Sequence, residues 1–271
     1  MSKQCTCGRS STQPYCDNTH KLGKNGIIRK IDKESFIYYK DELNDKGVLN
    51  VPENKIVEIP NFVSPKMAKN MIGFFEDNEI SWGDIAFYGS SGKGIKATQE
   101  ELDRWDIPTT FFEDIKNKFK EAVEAIFNRE VRANTSHAQK WDVGGFASLH
   151  SDNSNNAGEP NAFEINKYVA ILYLNGDYEG GQLYFAEEEK DPWLSIQPNT
   201  YSLYVFCGGV ENLHGVTEIT KGTRYTMVSF WDFADLVYSE ETLEKWKEQE
   251  RQVRIEQAAQ KEEWLKGNKH A

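Results

Sequence analysis

Four short apolar runs between residues 168 and 233 constrain the fold of this chain most strongly. They read YVAILYLN, QLYF, TYSLYVF and RYTMVSFWDF, and each is rich in β-branched or aromatic residues. Turn-forming residues separate them, including Asn175-Gly176, Gly180-Gly181 and Lys221-Gly222. Short strands with turns between them are typical of an antiparallel sandwich or barrel.

The rest of the chain divides by composition into three further regions around this strand-rich part. Residues 1–28 are rich in Cys, Gly and Ser and need a staple such as a metal centre, and residues 29–55 form a polar connector with one strand, Ser35–Tyr39. Residues 56–233 form the main domain, in which helices are predicted at Ser64–Asn78 and Thr110–Asn128.

Residues 234–271 form a charged segment that is predicted to be helical from about Ser239. Leu243, Trp246 and Trp264 could anchor a partner, but a solvated helix that packs one edge on the domain is the favoured interpretation.

Net charge and hydropathy disfavour two classes of partner. The formal charge of −11 opposes broad attraction to nucleic acid or to an anionic membrane. No run approaches the roughly 20 apolar residues of a membrane span, and the start, MSKQCTCGRS, lacks the apolar segment of a signal peptide. We therefore expect a cytoplasmic protein.

A His-x-Asp pair and a distant histidine are the candidate metal ligands. His150 and Asp152 lie in an extended stretch, where residues two apart point the same way, and His214 follows from another strand. Two imidazoles and one carboxylate on one octahedral face suit iron(II) that activates dioxygen. An H-x-D match alone is weak evidence for a metal site, since the same two residues also occur by chance as a polar pair on a protein surface. His137, in a predicted strand, is the remaining histidine of this region.

Arg224 strengthens this interpretation because it follows His214 by ten residues, across the Lys221-Gly222 turn. Alternation puts Arg224, Thr226, Val228 and Phe230 on one face of the returning strand. A buried guanidinium requires an anion, and its planar fork suits a carboxylate. A surface arginine near a turn is the alternative.

Residues 56–233 resemble the iron(II)- and 2-oxoglutarate-dependent oxygenases of the prolyl 4-hydroxylase type. The segments that carry the resemblance are WDVGGFASLHSD, ILYLN, GGQLYF, QPNTYSLYVF, HGV and GTRYTMVSFW. One position departs, since Trp141 stands where the family usually has Tyr. The resemblance implies a mainly β fold with flanking helices, built on a double-stranded β-helix (jelly-roll, cupin-like) core.

By the same resemblance, His150, Asp152 and His214 bind iron(II) and Arg224 pairs the distal carboxylate of 2-oxoglutarate. Tyr173 places its hydroxyl near that carboxylate, and Ile171 and Leu183 line the pocket, although Tyr173 could also be an ordinary strand aromatic. Gln139 and Trp141 border the substrates or pack in the core. The implied reaction uses O2, releases succinate and CO2, and hydroxylates a C–H bond, with ascorbate as a candidate reductant.

The N-terminal cysteines form a second motif, CTCGRSSTQPYCDNTH. Three thiolates and an imidazole at this spacing can bind zinc or an iron-sulfur cluster. The motif resembles the CDGSH iron-sulfur family, with Asn18 in place of a Gly, and implies a 2Fe-2S cluster on Cys5, Cys7, Cys16 and His20 and a homodimer. A zinc knuckle and a metal-free tail are the alternatives. Cys207, after a strand, is predicted to be a buried structural thiol.

Three functions remain in competition. The leading one is hydroxylation of a prolyl residue in a peptide or protein, with loops Ile85–Ala97 and Asn153–Asn166 bordering an open groove. The second is the same chemistry on a free amino acid or small metabolite. The third is an iron-sulfur redox-sensing or electron-transfer protein with a non-catalytic jelly-roll scaffold.

Overall fold

The structure is a computed structural model that describes residues 27–30, 36–39, 55–77, 83–84, 90–93, 99–161, 163–188 and 190–267. The predicted cluster ligands Cys5, Cys7, Cys16 and His20 lie outside the described residues.

Strands dominate the described part of the chain, and four helices accompany them. The strands are β1 (Ile27–Lys30), β2 (Phe36–Tyr39), β3 (Lys55–Ile59), β4 (Gly83–Asp84), β5 (Ser90–Lys93), β6 (Val131–Trp141), β7 (Ala147–His150), β8 (Tyr168–Tyr173), β9 (Glu179–Gly180), β10 (Leu183–Phe185), β11 (Leu194–Ile196), β12 (Leu203–Cys207), β13 (His214–Val216), β14 (Ile219–Lys221) and β15 (Arg224–Phe233). The helices are α1 (Pro65–Asp77), α2 (Gln99–Arg104), α3 (Phe111–Phe127) and α4 (Glu240–Gly267).

Two antiparallel sheets form the core. The large sheet has the order β1-β2-β3-β12-β8-β15-β6-β5-β4, the small sheet has the order β11-β10-β13-β7, and β14 pairs with β9. From β6 onward the chain passes back and forth between the large and the small sheet, so that it winds as a double-stranded β-helix. The predicted fold class is confirmed.

Side-chain alternation gives the large sheet two buried faces. Val169, Ile171 and Tyr173 of β8 face the small sheet, where they pack with Leu183 and Phe185 of β10. The intervening β8 residues pack instead against the helices, whose apolar residues belong to a separate core cluster. A strand that is buried on both faces must be apolar at nearly every position, which explains the run YVAILY.

The two helices predicted ahead of the sheet are confirmed. The Met67 amide donates to Ser64 Oγ over 3.2 Å, so Ser64 caps α1 and Pro65 opens it. α3 begins after Thr110 and ends at Phe127, before Asn128, which adopts a left-handed backbone conformation.

The C-terminal segment is helical, as predicted. Trp246 is buried against Tyr238, with ring centroids 4.6 Å apart, whereas Leu243 is 41% exposed. These contacts agree with a helix that packs one edge on the domain, and its role in partner binding stays a prediction. None of the described helices is long and apolar enough to cross a membrane.

Two local predictions have opposite outcomes. Cys207 is buried at the end of β12, as expected. The prediction of a loop over Ile85–Ala97 is wrong at Ser90–Lys93, which forms β5 and pairs with β6. The backbone hydrogen bonds offered by β6 outweigh the poor strand propensity of Ser and Gly. The Asn153–Asn166 loop has no regular element among its described residues beyond one bridge, Ser154 to Pro160.

Candidate metal centre

Three side chains converge at one end of the small sheet. His150 ends β7, Asp152 follows two residues later, and His214 opens β13, which pairs with β7 so that the two histidines are directly opposite. Their ligand atoms all lie within 4.8 Å of one another. Asp152 Oδ1 is 3.7 Å from His150 Nε2, and Asp152 Oδ2 is 3.4 Å from His214 Nε2. The structure thus brings together the three residues predicted as ligands.

Both imidazoles are oriented by main-chain carbonyls. His150 Nδ1 is 2.7 Å from the Ser148 oxygen, and His214 Nδ1 is 2.9 Å from the Asn212 oxygen. A carbonyl only accepts, so each Nδ1 carries the proton and each Nε2 presents its lone pair. Both lone pairs face Asp152. A histidine that binds a metal through Nε2 requires this tautomer.

Asp152 is fixed by the loop that follows β12. The Gly208 carbonyl accepts hydrogen bonds from the Asp152 amide and from Ser151 Oγ, each over 2.9 Å. Asn166 Nδ2 donates to the Asp152 carbonyl over 3.4 Å. The carboxylate is therefore held in place through its backbone, which leaves its oxygens available to a cation.

Burial makes this carboxylate a poor anion in the absence of a cation. Desolvation raises the pKa of Asp152 to about 6, an effect that the nearby His150 opposes. Burial lowers the pKa of His214 well below its ordinary value, and the charge of His150 adds to that effect. Asp152 Oδ2 is buried and accepts no hydrogen bond, so the site is incomplete without a positive partner.

Gly208 is essential to this arrangement, and Gly208→Ala should weaken metal binding. A Cβ at position 208 would clash with the Asn166 carbonyl oxygen and lie 3.2 Å from the Asp152 Cβ. Relief of the clash requires the backbone of Gly208 or of Asn166 to move, and both residues hydrogen-bond to the Asp152 backbone. Overpacking of this kind costs about 1 to 3 kcal/mol of folding free energy. We expect a weaker affinity for iron(II) and a lower midpoint in thermal unfolding.

Gly209→Ala is the matched control for that substitution. The three atoms nearest to its Cβ would all belong to the carboxylate of Glu211, the end of a flexible side chain, and Gly209 has an ordinary negative φ. Equal metal affinity in the two variants would contradict the role assigned to Gly208.

A buried cation lies in the same pocket. Arg224, the first residue of β15, is 2% exposed and donates from Nη1 to the Gly181 carbonyl over 3.2 Å. Its Nε is buried without a hydrogen-bond partner, and its guanidinium lies 4.6 Å from the Trp141 ring and 5.4 Å from the Tyr173 ring. A guanidinium in this position is ready for an anion with two oxygens.

Tyr173 supplies a second unused donor beside Arg224. Its hydroxyl is buried and has no hydrogen-bond partner. Burial raises the pKa of Tyr173, an effect that Arg224 opposes, so the hydroxyl keeps its proton and can donate it. A neutral donor next to a fixed cation is the pair of groups that a buried carboxylate needs.

One pocket contains the metal ligands, the cation and the remaining predicted site residues. Its lining is mostly apolar, with a few polar groups: Gln139, Trp141, Ala147, His150, Asp152, Val169, Ile171, Tyr173, Leu183, His214, Val216, Arg224, Val228 and Phe230. Sequence reasoning did not single out Ala147, Val216 or the neighbouring Tyr178. Val216 could have been predicted, because residues two apart on a strand share a face and Val216 is two residues from His214. Tyr178 lies between two strands, where side chains do not alternate regularly, so the sequence does not indicate which way it points.

The donor set fits a non-haem iron(II) centre. Two imidazoles and one carboxylate leave further coordination positions open, which distinguishes such a centre from a closed structural zinc site. The orphaned Asp152 Oδ2 fits a bound cation, and the unpaired Arg224 and Tyr173 donors fit a carboxylate ligand beside it.

Family comparison agrees with this geometry. Residues 136–232 match the profile of the 2OG-Fe(II) oxygenase superfamily. This segment runs from β6 to β15 and includes all three candidate iron ligands as well as Arg224. Over this segment the chain is therefore similar to the iron(II)- and 2-oxoglutarate-dependent oxygenases.

Individual relatives cover less of the chain. Over 83 residues, it is 43% identical to prolyl 3-hydroxylase 1 of Gallus gallus and 41% identical to prolyl 3-hydroxylase 2 of Homo sapiens, which is 30% of this chain in each case. These 83 residues span 11% and 12% of the two relatives. The chain therefore spans about a tenth of the length of the curated relatives it matches.

Solved structures of similar proteins include two prolyl hydroxylases. The viral collagen prolyl hydroxylase of Paramecium Bursaria Chlorella virus-1 gives a TM-score of 0.47 at 14% identity, covering 66% of this chain and 96% of that one. The prolyl hydroxylase of Trichoplax adhaerens, in complex with a hypoxia inducible factor peptide fragment, gives 0.48 at 16% identity, covering 69% and 85%.

Proposed function

We propose that this protein is an iron(II)- and 2-oxoglutarate-dependent dioxygenase that hydroxylates a prolyl residue in a peptide or protein. The observation that carries the proposal is one pocket holding a His-Asp-His cluster together with a buried arginine whose Nε is unpaired.

Each group of residues has a separate task in this reaction. His150, Asp152 and His214 would hold iron(II), which when bound supplies O2 activation coupled to the conversion of 2-oxoglutarate to succinate and CO2. Arg224 and Tyr173 bind the distal carboxylate and so fix the direction in which 2-oxoglutarate enters. Ile171 and Leu183 cover its carbon chain and exclude water from the reacting end.

The charges of the pocket favour a residue within a peptide over a free amino acid. Asp152 and Arg224 are the charged side chains of the lining, and both are committed, one to the metal and one to the co-substrate. A free amino acid would bring an ammonium and a carboxylate of its own into a neutral, apolar space, and burial of unpaired charges is costly. A peptide bond on each side of the target residue removes both charges.

The similar proteins bear on which carbon of the prolyl ring would be hydroxylated. The curated relatives are prolyl 3-hydroxylases, so carbon 3 of the prolyl ring is a candidate beside carbon 4.

Mass spectrometry of peptides tests the proposal. The protein is incubated with iron(II), 2-oxoglutarate, ascorbate as reductant and a pool of proline-containing peptides in air. We expect one oxygen atom to be gained on a prolyl residue, and the hydroxyproline isomers released by hydrolysis separate carbon 3 from carbon 4. Gain of oxygen by free proline alone would favour the small-molecule alternative. No oxygen gain by peptide, amino acid or lysate metabolite would favour the redox-module alternative.

We propose in addition that Cys5, Cys7, Cys16 and His20 hold a 2Fe-2S cluster. The support is the resemblance of CTCGRSSTQPYCDNTH to the CDGSH motif, because the spacing of three thiolates and one imidazole alone also suits zinc. These sixteen residues lie outside the described part of the chain. A homodimer and a cytoplasmic location stay predictions.

A visible spectrum separates the cluster from its zinc alternative. Aerobically purified protein should be coloured, and Cys16→Ser should remove the colour together with bound iron and acid-labile sulfide. Cys207→Ser is the matched control, because Cys207 is buried at the end of β12 and should leave the spectrum unchanged. A colourless protein with one zinc ion would contradict the cluster. Sedimentation of the same samples tests the homodimer.

A further inference from the structure

Three side chains of β6 form a polar row along the pocket face. Trp141, Gln139 and His137 alternate along the strand and pair with Arg224, Thr226 and Val228 of β15. Trp141 is at the buried end, beside Arg224, and His137 is at the other end, where both it and its neighbour Phe230 are partly exposed. The row thus runs from the 2-oxoglutarate end of the pocket toward its more exposed end.

Hydrogen bonds along this row have a fixed direction. The Trp141 indole can only donate, and its Nε1 is 3.2 Å from Gln139 Oε1, which also accepts from Thr226 Oγ1 over 3.3 Å. The Gln139 amide nitrogen therefore points the other way, to His137 Nε2 at 3.1 Å. An amide nitrogen only donates, so His137 Nε2 accepts and the ring proton lies on Nδ1.

His137 is consequently neutral, and its Nδ1–H group is available to donate a hydrogen bond. Burial lowers its pKa to about 4, so the ring is uncharged near neutral pH. Within the described part of the chain, Nδ1 has no hydrogen-bond partner. The Phe230 ring, which lines the pocket, lies beside the imidazole with centroids 6.1 Å apart and 27° between the planes.

We propose that His137 and Phe230 form the subsite that recognises the main chain and the apolar side chain of a peptide substrate. His137 Nδ1 donates to a peptide carbonyl next to the target residue, and the Phe230 ring packs against the target side chain. This inference deepens the proposed oxygenase function and rests on it.

The chemistry of the subsite selects an uncharged segment. A neutral N–H donor and an aromatic face match an amide carbonyl and an aliphatic ring, both of which are present in a prolyl peptide. A substrate carboxylate would be better served by a cation, and Arg224, the cation of the lining, lies at the opposite end of the row. The subsite thus predicts that end-blocked peptides bind better than free proline.

The ring tautomer is the first measurement, and it does not depend on activity. Long-range ¹H–¹⁵N spectra of the imidazoles should show His137 with a protonated Nδ1 and a bare Nε2. The opposite tautomer, or a charged ring at pH 7, would overturn the inference, whatever the activity of the protein.

Binding of a defined probe is the second measurement. A pool of end-blocked peptides, each with one proline, is titrated anaerobically into protein loaded with iron(II) and 2-oxoglutarate. His137→Phe keeps the ring shape and removes the donor, so we expect the peptide affinity to fall about five- to tenfold, as the loss of one hydrogen bond would give. The affinity for 2-oxoglutarate should stay unchanged.

Ser136→Ala is the matched control. Ser136 is the neighbouring residue of β6, on the opposite face, where its hydroxyl is 2.7 Å from Ser229 Oγ. Thermal unfolding of both variants shows whether they fold. Equal peptide affinity in His137→Phe and Ser136→Ala, or no peptide binding by the unsubstituted protein, would overturn the inference. The proposed function fails separately, if iron(II) and 2-oxoglutarate do not bind together at all.

Discussion

Replacement of His150 by alanine should reduce turnover of 2-oxoglutarate by at least about 100-fold. Loss of an outer partner of a metal ligand already costs roughly 10- to 100-fold in metal affinity, and His150 is proposed as a direct ligand. Its side chain is 23% exposed, so the fold should tolerate the truncation. Iron(II) affinity and succinate release measure the effect, and thermal unfolding of the apoprotein checks the fold.

Ser148→Ala is the control that separates ligation from local structure. Ser148 lies two residues earlier on β7 and orients His150 through its main-chain carbonyl, which the substitution keeps. We expect wild-type iron affinity and turnover. If His150→Ala retained the activity of Ser148→Ala, the His-Asp-His cluster would not be the iron site.

Replacement of Arg224 by methionine should have the second largest effect, and it should weaken the binding of 2-oxoglutarate and not that of iron(II). Loss of one partner from a buried, hydrogen-bonded charge pair costs roughly 2 to 5 kcal/mol of binding free energy. The dissociation constant of 2-oxoglutarate should therefore rise about 30-fold or more, while iron(II) affinity is retained. Titration with 2-oxoglutarate at saturating iron(II) measures it.

The same substitution should not destabilise the ligand-free protein. Arg224 is a buried cation whose Nε has no hydrogen-bond partner and whose Nη1 donates to a main-chain carbonyl. An apolar side chain of similar length therefore suits the ligand-free pocket at least as well. Arg224→Lys keeps the charge without the planar fork, so its dissociation constant for 2-oxoglutarate should lie between those of the unsubstituted protein and Arg224→Met. Unchanged 2-oxoglutarate affinity in Arg224→Met would remove Arg224 from the binding site.

The sequence could predict the parts of the site that depend on strand period and turns. Arg224 was found because residues two apart share a strand face and because the Lys221-Gly222 turn fixes where the strand begins; Gly222 has a φ of 76°. The same rule predicted that Ile171 and Tyr173 share a face, and both line the pocket.

Features that depend on contacts between distant segments could not be predicted in this way. The docking of Asp152 on the Gly208 carbonyl joins residues 56 positions apart, and no local pattern marks it. The tautomer of His137 depends on which way the Gln139 amide points, which is decided by the Trp141 and Thr226 donors. β5 was missed because its Ser-Ser-Gly-Lys sequence has little strand propensity and is paired by the long neighbouring strand β6.

The most direct test of the central claim is a visible spectrum of the protein mixed anaerobically with iron(II) and 2-oxoglutarate. Chelation of iron by 2-oxoglutarate in the pocket should produce a metal-to-ligand charge-transfer band that appears only when both are present. The band should be absent in His150→Ala, and Arg224→Met should require a much higher concentration of 2-oxoglutarate. No band in the unsubstituted protein, or the same band in His150→Ala, would contradict an iron(II)- and 2-oxoglutarate-binding site at His150, Asp152, His214 and Arg224.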